Sequence, residues 1–424
     1  MALYKDLTAK ELEKLKAQLE NEYEAFKAKG LKLDMSRGKP NKAQLDLSSD
    51  MLDVLDSSSD MRAEDGMETR NYGGLLGIPE CRRLFAELLG VDPANVIVCG
   101  NASLTIMYDY IAQCMIFGCG DEPWLKQGNV KFLCPAPGYD RHFGILQHFG
   151  IEMINIKMNA DGPDMDSIEE YVKDSSVKGL FCVPKYSNPD GITYSDEVVR
   201  RFAALKPAAK DFRVIWDNAY LIHDINDTPD KLLNIFDAAK EYGSEDMFIE
   251  VCSTSKMSFA GSGVSALAAS DANIKAIQAR MTIQTISNDK VNQLRHVRYF
   301  KNLDGMKAQM KRQAEILRPK FETVTNGFAK EFDGTGIAQW KNPNGGYFVS
   351  LYVMNGCAKR VGQLCKDAGL TLTTVGATYP YGIDPDDSNI RIAPSFPNVD
   401  ELEKAVELLC VCVKLAAVEK LLLK

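Results

Sequence analysis

Two patterns of apolar and polar positions alternate along this chain. Between residues 8 and 29, Leu12, Leu15, Leu19, Tyr23 and Phe26 recur at helical spacing among charged residues, with Thr8 and Glu11 as a candidate capping box and Gly30 as a stop. The spacing predicts an amphipathic helix whose job is packing. From Val96 onward the pattern changes to short apolar runs, at Val96–Cys99, Lys131–Cys134, Glu152–Met158, Gly179–Val183, Arg213–Trp216, Met247–Cys252 and Val264–Ala269. Most are separated by helical stretches such as 195–204, and this alternation predicts an α/β region built on a mainly parallel, seven-stranded sheet. After residue 310 the pattern predicts a long helix, strands at Ile337–Trp340 and Tyr347–Tyr352, a helix at Lys359–Ala368 and a strand at Asn389–Ala393. A last helix begins near Asp400 and carries Leu402, Val406, Leu409, Val413 and Ala417 on one face. The expected division is a large domain over 50–310 and a smaller, discontinuous α+β domain from 1–49 and 311–424.

Composition narrows the function classes. The 424 residues are 45% hydrophobic and 25% charged, ordinary values for a globular protein, and a net charge of −8 without blocks of like charge favours neither nucleic acid nor an anionic membrane surface. The apolar runs fall short of a bilayer span and the first residues lack the apolar stretch of a signal peptide, so a cytoplasmic protein is expected. Eleven cysteines, an odd number scattered through apolar segments, read as reduced core residues. Cys410 and Cys412, two apart on a helix, point to different sides, and with four histidines and no His/Cys cluster no metal site is expected.

In a parallel sheet, ligands bind beyond the carboxyl ends of the strands, so the turns after each apolar run are where chemistry is expected. Lys256 lies in Ser253-Thr254-Ser255-Lys256, just past a strand end, and a loop rich in Gly and Ser follows it. It is either a solvated loop lysine or an amine beside an anion site. The second arrangement is what pyridoxal phosphate requires: the lysine forms a Schiff base while hydroxyls and backbone N–H groups hold the phosphate. Gly100-Asn101-Ala102-Ser103 opens a helix whose first N–H groups make an anion site, unless Ser103 is a plain cap. Asp217 ends a buried strand and needs either a cationic partner, such as a pyridinium, or a role as a helix cap. Tyr220 and Asn188 suit the ring hydroxyl, and Tyr139 suits stacking on the ring. The bland alternatives are a core aromatic at Tyr139 and an ordinary turn at Asn188-Pro189-Asp190-Gly191. Arg37-Gly38-Lys39 is a substrate-facing loop or a surface turn. The glycine-dense stretch Asn71–Glu80 matches neither the dinucleotide fingerprint nor a P-loop.

Gly100-Asn101-Ala102-Ser103, Asn188-Pro189-Asp190-Gly191, Asp217-x-x-Tyr220, Ser253-x-x-Lys256 and Asn389-Ile390-Arg391, in that order, resemble the fold type I, class I aminotransferases. Pro137-Gly138-Tyr139-Asp140-Arg141-His142 and Ser262-Gly263-Val264 are similar to the divergent subgroup Ic, which includes aspartate aminotransferases. The resemblance implies pyridoxal 5′-phosphate as cofactor, Lys256 as its attachment point and general base, and Asp217 against the pyridinium. It further implies Asn188 and Tyr220 at the ring oxygen, Tyr139 stacked on the ring, and Asn101, Ala102, Ser103, Ser253 and Ser255 around the phosphate. Tyr72 resembles the tyrosine that reaches the neighbouring subunit's phosphate, which implies a homodimer with shared active sites. Arg391 resembles the arginine that grips the substrate α-carboxylate, and Gly38 the glycine over the substrate; Arg37 and Arg141 are candidates for a second carboxylate. The substrates implied are aspartate and 2-oxoglutarate, with alanine or an aromatic amino acid as rival donors and a non-catalytic cofactor-binding sensor as a rival class. One departure stands out: Val264 and Ser265 occupy the region where the family usually has a phosphate-binding arginine.

Overall fold

The computed structural model describes residues 3–423. Its main sheet has eight strands in the spatial order Val96–Cys99, Ser265–Ala269, Phe248–Ser253, Arg213–Asp217, Val177–Cys182, Lys131–Ala136, Glu152–Asn159 and Gly162–Pro163. Four neighbouring pairs are parallel, while Ser265–Ala269 runs against both its neighbours and Gly162–Pro163 folds back on Glu152–Asn159. The expected seven strands are therefore joined by an eighth of two residues, too short to leave any period in the sequence. Six strands share one direction, so their carboxyl ends meet at one edge.

Burial explains why those runs read as continuous rather than alternating. Val177–Cys182, Arg213–Asp217 and Ser265–Ala269 are buried at every position because helices cover both faces of the sheet. Ile215 packs in one core with Phe132 and Phe181, and its neighbour Trp216 packs in the opposite one with Phe202 and Phe248. Glu152–Asn159, near the margin, has the mixed pattern of a half-covered strand.

A separate apolar core lies between the helices Ala9–Ala28, Leu303–Phe332 and Val399–Leu422 and the antiparallel strands Ala338–Trp340, Val349–Val353 and Asn389–Ile392. Thr8 and Glu11 form the expected capping box. Two details differ from the sequence pattern. The last helix buries Ala405, Leu408, Cys412 and Leu415 as well as the expected stripe, because it is packed by both long helices rather than lying on one surface. The helix Leu303–Phe332 begins earlier than expected and runs from the main-sheet core at Met306 and Met310 into the separate core at Leu317 and Phe321. Leu33–Asp34 pairs in parallel with Leu370–Thr371, which brings the Arg37 loop beside Thr373. All eleven cysteines are free, and every one except the part-buried Cys99 is buried. Among the described residues no helix is long and apolar enough to cross a membrane, and no acidic, His or Cys cluster is placed to hold a metal.

A buried polar cluster lies at one end of the main sheet. Lys178 Nζ donates to Asp211 Oδ1 at 2.8 Å, and Asp211 Oδ2 accepts from Trp124 Nε1 and Gln127 Nε2, each at 2.8 Å. Lys178 and Asp211 are buried. Burial alone would raise the Asp211 pKa, but the hydrogen bonds from Lys178 and Gln127 outweigh it and hold the carboxyl below its ordinary range. Asp211→Ala would leave the ammonium buried without a counter-charge, with only the Gln127 amide oxygen to accept from it. It should cost about 3–5 kcal/mol in urea unfolding, with Asp211→Ala/Lys178→Met losing less than Asp211→Ala alone; an Asp211→Ala midpoint equal to wild type would refute this account.

Candidate active site

The shared strand edge opens into a cavity of about 670 Å³. Lys256 reaches it from the turn after Phe248–Ser253. Buried Thr254 braces that turn: its carbonyl accepts from the N–H groups of Met257 and Ser258, and its N–H and hydroxyl engage Val264 at 2.8 and 3.0 Å. The Lys256 ammonium lies 5.0 Å from the ring centre of Tyr220 and 5.8 Å from that of Tyr347. Burial lowers the pKa of this amine, opposed by the charge of Asp217. A lowered value favours the neutral, nucleophilic form.

Asp217 stands at the end of its strand, facing the same cavity. One carboxylate oxygen is 3.1 Å from His142 Nε2, and the His142 ring is stacked on Phe181 with centroids 4.6 Å apart. The other, Oδ1, is buried and has no partner among the described residues. An orphaned carboxylate oxygen in such a place is expensive, and a cationic N–H donor entering from the cavity relieves it. Tyr139, Asn188 and Tyr220 line the wall beside it. Burial, reinforced by the nearby Tyr139 and Asp217, raises the Tyr220 pKa well above the ordinary phenol value, so this hydroxyl remains a donor.

At one end of the cavity Ala102 and Ser103 begin the helix Ser103–Phe117, which has no side-chain cap, leaving its first N–H groups for an anion. Ser253 and Ser255 lie in the same wall with their hydroxyl oxygens 3.2 Å apart. Asn101 lies behind this wall: its amide accepts from the Ser255 hydroxyl at 3.0 Å and donates to the Ala260 carbonyl at 3.1 Å, and it lines a neighbouring hollow instead. Val264 and Ser265, where an arginine was expected, are fully buried at the start of an inner strand. Arg295, which the sequence pattern did not single out, is tied to this loop from the helix Lys290–Phe300 through a 2.7 Å bond to the Ser262 hydroxyl.

At the other end, Arg391 projects from the strand Asn389–Ile392. It donates to Asp140 Oδ1 at 2.8 Å and Asn188 Oδ1 at 3.3 Å, with its guanidinium 4.9 Å from the centre of the Phe348 ring. Gly38 backs the same ring: a Cβ there would lie 2.5 Å from Phe348 Cζ. Arg37 and Arg141 line the cavity as exposed side chains. Of the residues expected at the site, Tyr72 is apart from the others; it is 79% exposed and outside this wall. Asp140 and His142 sit inside a motif already noted, but their contacts with Arg391 and Asp217 depend on tertiary placement. Phe348 left no signal beyond an apolar strand position.

The profile of the aspartate amino-transferase family matches residues 7–424. The chain belongs to this family. It is 46% identical over 404 residues to a putative aminotransferase of Mycolicibacterium smegmatis, covering 94% of each chain. It is 44% identical over 416 residues to an aspartate aminotransferase of Corynebacterium glutamicum, covering 98% of this chain and 96% of that one. A crystal structure of an aspartate transaminase from C. glutamicum superposes with a TM-score of 0.97 at 43% identity over 99% of both chains. The fold also matches, with a TM-score of 0.74 at 18% identity over 92% and 93% of the chains, an α-aminoadipate aminotransferase of Thermus thermophilus solved with N-(5′-phosphopyridoxyl)-L-leucine.

This is therefore an aminotransferase, and its family implies pyridoxal phosphate. The cavity fits that group: an unpartnered carboxylate oxygen for a pyridinium, an amine, and an uncapped helix start with two hydroxyls for a phosphate. Bound there, the cofactor supplies an electron sink for the charge left when a substrate Cα loses its proton. Gly38→Ala should push Phe348 and with it Arg391 out of position. Steady-state kinetics should then show KM for the amino donor raised about tenfold while the cofactor dissociation constant stays within about twofold; an unchanged KM would show that the ring yields without disturbing Arg391.

Proposed function

We propose that this aminotransferase exchanges an amino group between L-aspartate and 2-oxoglutarate by a ping-pong mechanism, with Lys256 as the base at the substrate Cα. The observation that carries the reading is that Lys256, Asp217 and Arg391 line a single cavity, and that one oxygen of Asp217 is buried without a partner among the described residues. Asp217 holds the proton of the cofactor ring nitrogen, with His142 fixing its second oxygen. Asn188 and Tyr220 bind the ring hydroxyl, and Tyr139 covers the ring face. Ala102, Ser103, Ser253 and Ser255 receive the phosphate, with Asn101 steadying Ser255 from behind.

Arg391 takes the substrate α-carboxylate as a planar bidentate donor, in competition with Asp140 and Asn188, which occupy one of its nitrogens in this structure. With the α-carboxylate held there, the Lys256 amine would be the base that takes the proton from the substrate Cα, and bound pyridoxal phosphate would supply the electron sink. The preference for a dicarboxylic substrate is supported by the surplus of cations in the cavity: setting Lys256 aside, Arg37, Lys39, Arg141 and Arg391 line it with only Asp140 and Asp217 opposite in charge. The resemblance to a C. glutamicum aspartate aminotransferase supports the same substrate. In this reading the enzyme is a cytoplasmic homodimer. Tyr72 on each subunit completes the partner's phosphate site, and the helix Leu303–Phe332 links the large domain to the smaller one.

The purified protein should show a visible absorption band that L-aspartate bleaches and 2-oxoglutarate restores. Lys256→Ala should lose that conversion. A band that ignores aspartate but answers to another amino acid would discard the substrate, and no band after adding pyridoxal phosphate would discard the reading. Removal of the correct distal cation, by Arg37→Ala or Arg141→Ala, should cut aspartate kcat/KM by roughly 10- to 100-fold while alanine turnover changes little. Equal losses for both donors would overturn the dicarboxylate assignment.

A further inference from the structure

Glu250 is out of place in its surroundings. The register of the main sheet sets it in a row with Cys182, Trp216 and Ala268, all buried, on the face opposite the Ile215 side. It makes no ion pair among the described residues. The polar group it touches is Asn218, whose Nδ2 donates to Glu250 Oε1 at 2.8 Å. The two atoms left over, Glu250 Oε2 and Asn218 Oδ1, are both buried and both without a partner. As written they are two acceptors and no donor. A single proton on Oε2 resolves both: the acid hydroxyl donates to the amide oxygen while the amide nitrogen donates to the acid carbonyl, closing a ring of two hydrogen bonds.

Asn218 is the residue immediately after Asp217, and it is joined to the neighbouring strand a second time, by its backbone N–H to the Val251 carbonyl at 2.8 Å. That neighbouring strand is Phe248–Ser253, which leads directly into Lys256. We propose that Glu250 is a neutral carboxylic acid whose paired bonds to Asn218 clamp the Asp217–Tyr220 turn to the strand that delivers Lys256, making Glu250 a positioning residue behind the cofactor site.

The surroundings of Glu250 also favour the neutral acid. Burial pushes the Glu250 carboxyl up to about 7, opposed by the Asn218 bond. The other titratable groups packed near it are the Cys182 and Cys252 thiols, both raised by burial, and Asp217 across the sheet. None of these is a cation that would favour ionised Glu250.

The inference rests on Asp217 serving the cofactor ring, so the test has one arm that does not involve the cofactor. Infrared difference spectra of wild type against Glu250→Gln, at pH 5.5, should show a protonated-acid carbonyl band in wild type that the variant lacks and that fades as pH rises through about 7. Its absence from wild type would overturn the neutral state, whatever the fate of the Asp217 reading. The second arm titrates pyridoxal phosphate into the apoprotein. Gln can form the same two bonds to Asn218, so Glu250→Gln should keep the wild-type dissociation constant, whereas Glu250→Ala should weaken it about tenfold or more. Equal weakening by Gln and Ala would mean that charge, not the clamp, is what counts, and would overturn the proposal, as would wild-type affinity in Glu250→Ala. If Glu250→Ala fails to fold, the Gln variant and the infrared band still decide: loss of affinity in Gln, or no acid band, refutes the clamp.

Discussion

Asp217 places a carboxylate at the end of a strand buried on both faces, and the described residues supply a partner for only one of its two oxygens. Much of the surrounding structure follows from holding that group where it is. The main sheet gives it a rigid backbone, and His142, itself stacked against Phe181, fixes one oxygen while the other is buried without a partner among the described residues. The register that sets Asp217 opposite Val251 also fixes how far away the Lys256 turn begins. An acid and a base delivered by adjacent parallel strands need no flexible loop to find each other, which is the advantage of building such a site at a strand edge.

The substrate end is assembled differently. Arg391 belongs to the small antiparallel sheet, yet its partners Asp140 and Asn188 come from turns of the main sheet. The same junction is reinforced by Tyr352, whose hydroxyl bonds both oxygens of Asp190 at 2.9 and 2.8 Å. Arg391 is thus poised by contacts between two separately packed cores, and on the proposed reading a substrate carboxylate would exchange with Asp140 for the guanidinium. Affinity at this end is coupled to how the two cores sit, while the cofactor end depends on one sheet alone.

Most strands of the main sheet were legible because burial on both faces makes them nearly continuous apolar runs bounded by turn residues, and the residues that the structure gathers around the cavity were legible because those turns are where polar residues interrupt the pattern. Lys256, Asp217, Tyr220 and Asn188 announced themselves in that way. Gly162–Pro163 did not, since two residues carry no period, and the all-round burial of Val399–Leu422 was hidden because cysteines and alanines blur a helical stripe. Arg295, Phe348 and the Glu250–Asn218 pair were also out of reach: each acquires meaning only from a neighbour 30 or more residues away. Residue type in a turn is visible in sequence; partnership across elements is not.

The state of Lys256 ties these features together. Burial favours the neutral amine, and the field of Asp217 is what favours the ammonium. His223, buried without a partner at either nitrogen and held well below its ordinary pKa by burial and by the charges of Lys256 and Lys185, adds no cation to this balance. On the proposed reading, a cationic ring paired with Asp217 would offset the field that supports the ammonium, so the same carboxylate that holds the ring would leave the lysine amine more nucleophilic.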